Sequence, residues 1–472
     1  MRTPRLRRGA ATVLWRAPIR LLAVVALAGC VLKSPPSSEE LRKEAVPETS
    51  MPAQWTAEGA DAGSVENSWL ATFGDAQLDQ LIAEAIKQNA DLQAAAARVD
   101  QAAAYVKVAG GELYPTVDAL ARGGGEMGGD SSGLSGVLVS ASWELDLWGR
   151  VRYEARAGKE QYASAQSDFA FARQSLAALV AKSWFMATEA TLQRDLLIQM
   201  VESATKLTEL AQQRFRIGIG SELDVASARV NEQTYRDSLR QVELALEQAV
   251  RSLELLVGRY PAAQIIPPTQ LDSFPPDVPA GLPSELLERR PDVIAAQRRV
   301  AVAFNRYKES QAARLPRISL TASGSHLSSD FFVLQDRDNP VWSAGGTVFA
   351  PLFRGGALKA QSEVRSAEQK ESIAHYVSTA LKAFGDVENA LASEFALQQR
   401  EKILESAAVD AQQALRLSEI RYRVGSGDLR SVQQQQLAYN TTKMTLLRVQ
   451  TERRVQRVNL HLALGGDFAA GA

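Results

Sequence analysis

One seven-residue stretch occurs twice. Residues 214–220 read Arg-Phe-Arg-Ile-Gly-Ile-Gly, and residues 421–427 read Arg-Tyr-Arg-Val-Gly-Ser-Gly. Each copy interrupts what otherwise reads as continuous helix. Residues 151–217 contain no proline and a single glycine, Gly158; residues 357–424 contain no proline and a single glycine, Gly385. A helix of that length runs roughly 100 Å at 1.5 Å per residue. After each copy comes a shorter run without glycine or proline, 221–257 and 428–464. Glycine adopts the left-handed conformation that closes a helix without a steric penalty, so Gly218 and Gly425 are expected at positive φ. Ser221 and Asp428 then suit the N-cap of the returning helix. The chain is expected to build the same long helical hairpin twice.

The duplication extends beyond the turns. Asn89-Ala-Asp91 matches Arg290-Pro-Asp292, Pro115 matches Pro316, and Leu147-Trp148-Gly149 matches Leu352-Phe353-Arg354. Leu78, Leu81, Ile82, Ala85 and Ile86 fall at helical spacing, which predicts a helix over 78–109 that Tyr114-Pro115 stops. In the run after the first turn, Leu239, Val242, Leu246, Ala249, Leu253 and Leu256 form a heptad seam, the signature of helix pairing. Seven prolines between Gly258 and Pro283 mark a connector between halves. The boundaries expected are a signal peptide over 1–29, a lipidated tether and irregular segment over 30–75, a first repeat over 76–258, a proline-rich connector over 259–283, a second repeat over 284–466 and a tail over 467–472. Each repeat reads helix, two strands, long helix, turn, helix. The fold class is mainly α with a small β part.

The strands announce themselves by a change of period. Val137, Val139, Ala141, Trp143, Leu145 and Leu147 alternate with Leu138, Ser140, Ser142, Glu144 and Asp146, giving a strand with one apolar face. Residues 116–123 read as its weaker partner across a Gly/Ser loop, 123–135. In the second half Ile318, Leu320 and Ala322 alternate with Arg317, Ser319 and Thr321, and 342–349 supply a fourth strand. About ten residues is the length of a tilted membrane-spanning strand. Four strands cannot close a barrel, and lipid does not tolerate open edges. Strands inserted in a membrane therefore require several chains to share one barrel, three chains giving twelve strands. A soluble four-stranded sheet with one wet face is the other reading of the same periodicity.

At the N-terminus Arg2, Arg5, Arg7 and Arg8 precede a short apolar run, 21–28, as in a secretory signal. The run ends in Leu27-Ala28-Gly29-Cys30, which resembles a bacterial lipobox, and Cys30 is the only cysteine. An exported chain with one thiol forms no internal disulfide. Acylation, including a palmitate, accounts for a cysteine at that position, and Val31 after it resembles an outer-membrane sorting signal. A net charge of −1 argues against a nucleic-acid binder, which would show a basic face. Enzyme signatures are missing: His326, His375 and His461 have no partner at metal-ligand spacing, and there is no P-loop, GxSxG or HExxH pattern. No cofactor is expected beyond the covalent lipid on Cys30, and no metal.

Together, the lipobox, Trp143-Glu-Leu-Asp-Leu-Trp-Gly-Arg150, Leu287-Glu-Arg-Arg-Pro-Asp292 and Arg421-Tyr-Arg-Val-Gly425, in this order and duplicated, resemble the outer-membrane efflux factor family, the TolC-like lipoprotein channels. The resemblance spans almost the whole chain after Cys30. It implies a homotrimer with a shared twelve-stranded barrel in the outer membrane of a Gram-negative bacterium and a long helical tunnel in the periplasm. It implies passive conduction of drugs or other small molecules, received through a periplasmic adaptor from an inner-membrane transporter of RND type. By the same resemblance Arg214, Phe215, Gly218, Gly220, Arg421, Tyr422, Gly425 and Gly427 form the periplasmic tip that meets the adaptor. Asp224, Arg430, Ser431 and Gln434 are its gate candidates, with Asp224 pairing to Tyr422 or Arg430 in the closed state. The family often has an acidic residue where this chain has Gln434, and an apolar one where it has Arg430. The alternatives are a structural coiled-coil outer-membrane lipoprotein without a conduit and, less compatible with two tandem hairpins, a periplasmic adaptor.

Overall fold

The computed structural model describes residues 32–45, 54–58, 67–122, 134–281, 283–329 and 341–468. The expected signal peptide, Cys30, and the loops 123–133 and 330–340 lie outside them. The elements are α1 (Ser38–Ala45), a 3-10 turn (Trp69–Phe73), α2 (Ala76–Gln88), α3 (Ala90–Gly111), β1 (Thr116–Arg122), β2 (Leu134–Leu145), α4 (Arg150–Arg216), α5 (Glu222–Val257), α6 (Pro283–Arg289), α7 (Pro291–Ala312), β3 (Arg317–Ser329), β4 (Val341–Phe349), α8 (Ala357–Arg423) and α9 (Leu429–Ala463). Helices α4 and α8 have 67 residues each, starting and stopping within one residue of the positions their composition predicts. No helix among the described residues is long and apolar enough to cross a membrane.

The single helix expected over 78–109 is two helices. Asn89 leaves the helical region at φ −63°, ψ 122°. Its side-chain oxygen accepts from the Leu92 amide at 3.0 Å, and its Nδ2 donates to the Leu256 carbonyl at 3.0 Å. Apolar spacing continues through the break and hides it; the capping chemistry of Asn decides it. In the second repeat the same break falls at Arg290, and Pro291 opens α7 where a missing N–H costs nothing.

The chain divides into two compact units. The first comprises described residues within 1–44, 98–166 and 295–377 and contains a single antiparallel sheet ordered β1-β2-β3-β4. Register aligns Val139 with Gly324, Ala141 with Ala322 and Trp143 with Leu320, and continues to Ala344 and Trp342 on β4. This face is apolar. At Gly324 an added Cβ would lie 2.5 Å from the Trp342 ring, so glycine there seats the indole. The opposite face carries hydroxyls, with Thr116 Oγ1 2.8 Å from Ser142 Oγ and Ser323 Oγ 2.7 Å from Ser343 Oγ. Strand β2 stops at Leu145, two residues short of the expected alternation. Asp146 leaves the ladder to accept from the Arg152 amide and Nε, both at 3.0 Å. Arg150 makes a fork to Glu144 at 2.9 Å and 2.9 Å and comes within 4.0 Å of Glu112 and 3.9 Å of Glu309. The Lys33 amide donates to the Tyr153 hydroxyl at 2.9 Å, tying the segment that begins at residue 32 to the start of α4.

The second unit, described residues within 45–97, 167–294 and 378–472, holds the main core. Trp184, Leu78, Ile82, Val180, Leu253 and Val257 are buried together there. Trp184 donates from Nε1 to Asp75 Oδ2 at 2.6 Å, while Oδ1 of the same carboxylate caps α2. The predicted heptad seam packs inward: Leu246, Ala249 and Leu256 against this core, Leu239 and Val242 against Leu196 and Met200. The connector is gripped by charge. Burial opposes ionisation of Glu254, but amides of Ala263, Gln264 and Ile265 at 2.7, 2.5 and 3.2 Å hold its carboxyl below the usual range. Arg457, 1% exposed, bonds Glu394 and the Pro276 carbonyl, and Arg453 lies 3.6 Å over the Phe274 ring.

His461 stacks on Trp69 at 5.4 Å and 14°, and neither of its ring nitrogens has a hydrogen-bond partner among the described residues. Burial first, and Arg457 second, push its pKa down to about 3. The unfolded chain therefore binds this proton below about pH 6.5 while the folded chain does not. The stability His461 contributes is complete above about pH 6.5 and is lost as pH falls from there toward 3. In melts from about pH 7.5 to about pH 4.5, followed by circular dichroism, His461→Phe should flatten the acid loss of stability relative to the parent. Parallel pH profiles would contradict this.

Candidate functional site

The two repeated turns share one backbone design. After Arg216 the chain turns through Ile217 to Gly218 at φ 80°; after Arg423 it turns through Val424 to Gly425 at φ 81°. The Ile219 amide donates to the Arg214 carbonyl at 3.0 Å and the Gly218 amide to the Phe215 carbonyl at 3.0 Å. In the second copy the Ser426 amide donates to Arg421 at 2.9 Å and the Gly425 amide to Tyr422 at 3.1 Å. Both are Schellman closures, which satisfy the last helical carbonyls. The second glycine of each copy has a different reason. A Cβ on Gly220 would lie 2.9 Å from the Phe215 nitrogen, and one on Gly427 3.0 Å from the Arg421 Cβ, so both mark close approach of the chain to itself.

The returning helices start as their first residues predict. Ser221 caps α5 in a reciprocal box: the Asp224 amide donates to Ser221 Oγ at 3.1 Å and the Ser221 amide to Asp224 Oδ2 at 3.3 Å. Asp428 caps α9 by accepting from the Ser431 amide at 2.7 Å. The Ser431 amide and hydroxyl, together with nearby Arg430, keep the Asp428 carboxyl below its usual range.

The side chains are less symmetrical than the backbone. Tyr422 is 2% exposed and packs with Ala211, Val225, Ala228, Leu429 and Val432. Its counterpart Phe215 is 46% exposed. Arg214 makes the difference: its guanidinium lies 4.8 Å over the Tyr422 ring, and Nη1 donates to the Tyr422 carbonyl at 3.0 Å. The Tyr422 hydroxyl has no hydrogen-bond partner among the described residues. Burial first, then the nearby Asp224 carboxylate, push its pKa up, while Arg214 pulls it down. Within the chain, therefore, Tyr422 belongs to Arg214, and Asp224 is engaged by the Ser221 cap. Arg430, Ser431 and Gln434 are all exposed on α9, and Arg430 has no ion-pair partner among the described residues.

Two features of this site escape the sequence. Ile217, Ile219, Leu223 and Val424 are exposed beside the glycines, an apolar surface at the turns that helical periodicity does not reveal. The signal available was composition: branched apolar residues within a turn have no core to enter. Behind the turns, α5 and α9 meet through polar pairs, Asn231 with Gln436 at 3.2 Å and Tyr235 with Asn440 at 2.9 Å. Nothing in either helix's own pattern announces that pairing. No group of three or more metal-ligating side chains occurs among the described residues.

If the closures rest on positive φ, replacements at Gly425 should follow left-handed propensity. Hydrogen exchange across 419–431 should rise strongly for Gly425→Val and little for Gly425→Asn, the β-branched residue costing about 1–2 kcal/mol more. Equal exchange in the two variants would remove the argument.

The family model for the outer membrane efflux protein matches twice, over residues 81–259 and 282–466. A probable efflux pump outer membrane protein, TtgC of Pseudomonas putida, is 30% identical over 445 residues, covering 89% of this chain and 91% of its own. The cation efflux system protein CusC of Escherichia coli is 28% identical over 470 residues, covering 96% and 99%. Among solved structures, the open state of the MtrE outer membrane channel of Neisseria gonorrhoeae superimposes with a TM-score of 0.79 at 27% identity, over 93% of this chain and 99% of that one.

Proposed function

The chain belongs to the outer membrane efflux protein family, and we propose that it is the exit duct of a tripartite pump: a homotrimer that passively conducts small molecules across the outer membrane. The observation that carries this reading is the sheet. Its four strands have one exposed apolar face, one hydroxyl-rich face and two open edges, β1 and β4. Open edges in lipid must be paired, and a closed barrel of alternating strands puts its apolar residues toward lipid and its polar residues toward water. Three copies supply the twelve strands that the family resemblance calls for. The paired long helices of each chain then continue the conduit on the periplasmic side.

In this reading an acylated Cys30 adds an anchor to the barrel. The tips receive the periplasmic adaptor, chiefly through the first turn, where Phe215, Ile217, Ile219 and Leu223 offer an exposed apolar surface; the second turn offers Val424 and the polar Ser426. The adaptor brings in an inner-membrane transporter. Relatives named for a toluene pump and for a cation efflux system suit a duct whose cargo is chosen by its transporter. The gate lies at Asp224, Arg430, Ser431 and Gln434, with Asp224 and Arg430 of adjacent chains pairing across the closed tip. Exposed pairs of this kind contribute about 0.2–1 kcal/mol each and weaken with salt. A coiled-coil lipoprotein spacer would share the hairpins and the anchor but would not conduct.

Purified protein in planar bilayers separates the two: the duct should pass ions, and cross-linking in detergent should trap three chains. A non-conducting monomer would refute the duct. In cells, Gly425→Val should abolish efflux while outer-membrane trimers persist; normal efflux would reduce the turn to a connector. Mass spectrometry of the mature N-terminus should find lipid on Cys30, and a mature chain with an unmodified cysteine would end that part of the reading.

A further inference from the structure

The hydroxyl face of the sheet can be read row by row. One row is Thr116, Ser142, Thr321 and Gly345; the next is Asp118, Ser140, Ser323 and Ser343; the third is Leu120, Leu138, Ser325 and Val341. Asp118 is the one charged residue in these three rows. It is exposed, and no hydrogen bond or ion pair engages it among the described residues. Serines and threonines surround it, so its carboxylate faces water rather than a cation.

The other charges of this face lie at its ends. Arg122 is placed four residues along β1, about 13 Å at the rise of a strand. Arg317 lies on β3 opposite Phe349, six residues along the strand from Ser323 in the Asp118 row, or about 20 Å. Both backbone separations exceed the Debye length of about 8 Å at physiological salt, and no ion pair to Asp118 occurs among the described residues. Glu144 also belongs to this face, but the Arg150 fork compensates it.

We infer that Asp118 sets the charge preference of the conduit, favouring cations and cationic or zwitterionic cargo over anions inside the barrel. The inference rests on the duct reading, in which the hydroxyl face lines the lumen and three copies of Asp118 share one level. Rings of carboxylates make pores cation-preferring, and low-dielectric walls focus their field. On α9 the gate candidates are Arg430, Ser431 and Gln434, and the carboxylates beside them, Asp224 and Asp428, are each engaged in a helix cap.

The test is ion selectivity of the full-length protein in planar bilayers under a potassium chloride gradient. The parent should prefer potassium to chloride, and Asp118→Asn should bring the permeability ratio to about one. Asp118→Glu, which keeps the carboxylate, should keep the cation preference. Asp118→Cys gives a second, independent readout. A sulfonate-bearing methanethiosulfonate should restore cation preference, and a trimethylammonium-bearing one should turn the pore toward anions, with the parent as control for Cys30. Unchanged selectivity in Asp118→Asn would overturn the inference while leaving the duct standing. So would failure of water-soluble reagents to reach the introduced thiol in lipid-embedded protein. A parent that does not conduct would overturn both.

Discussion

Everything in this protein answers to one requirement, that backbone N–H and C=O groups find partners. A helix of 67 residues meets it internally along its length and fails only at its ends. Reversing such a helix twice therefore takes two dedicated closures, and the chain uses the same one each time. Left-handed Gly218 and Gly425 bring the following amides back onto the last carbonyls, and Ser221 and Asp428 cover the first amides of the return. The sheet meets the same requirement incompletely. Its inner ladders are paired, its outer edges are not, and that deficit makes the chain a fraction of a larger assembly.

Duplication supplies the framework, and departures from it supply the function. The two turns superimpose in hydrogen bonding yet differ in what they present. Arg214 folds over Tyr422 and buries it, while Phe215 is left outside with Ile217, Ile219 and Leu223. One copy thereby leaves its aromatic exposed beside apolar turn residues, and the other packs its aromatic inward. The breaks in the short helices behave alike: Asn89 bridges to Leu256, whereas Arg290 sits buried between Asp292 and Asp386. A polar cap and a buried ion pair thus occupy equivalent places in the two repeats.

Buried charge recurs wherever irregular chain must be fixed to helix. Glu254 gathers three amides of the connector, and Arg457 holds Glu394 together with the Pro276 carbonyl. Proline-rich segments have few amides to donate and carbonyls to spare, so arginine is the matching side chain. Such pairs add little net stability when complete and cost several kcal/mol when broken. They specify where the connector lies more than they stabilise it.

The amino-acid sequence alone determined the elements, because their signals are local. Absence of proline, with a single glycine in each, fixed the lengths of α4 and α8, Gly218 and Gly425 fixed the reversals, and a period of two fixed β2 and β3. The break at Asn89 was hidden because apolar periodicity runs through it, and the early end of β2 because Asp146 is drawn to Arg152 six residues on. Tertiary structure alone decided which aromatic of the repeated turn is buried, since Phe215 and Tyr422 are interchangeable in pattern, and packing against Val225, Leu429 and Val432 together with the reach of Arg214 separates them. It decided that Asn231 meets Gln436 and Tyr235 meets Asn440, pairings 205 positions apart that neither helix encodes by itself. It also decided the sheet register that leaves Asp118 among hydroxyls, because partner rows depend on how four distant strands align, and no single strand carries that information.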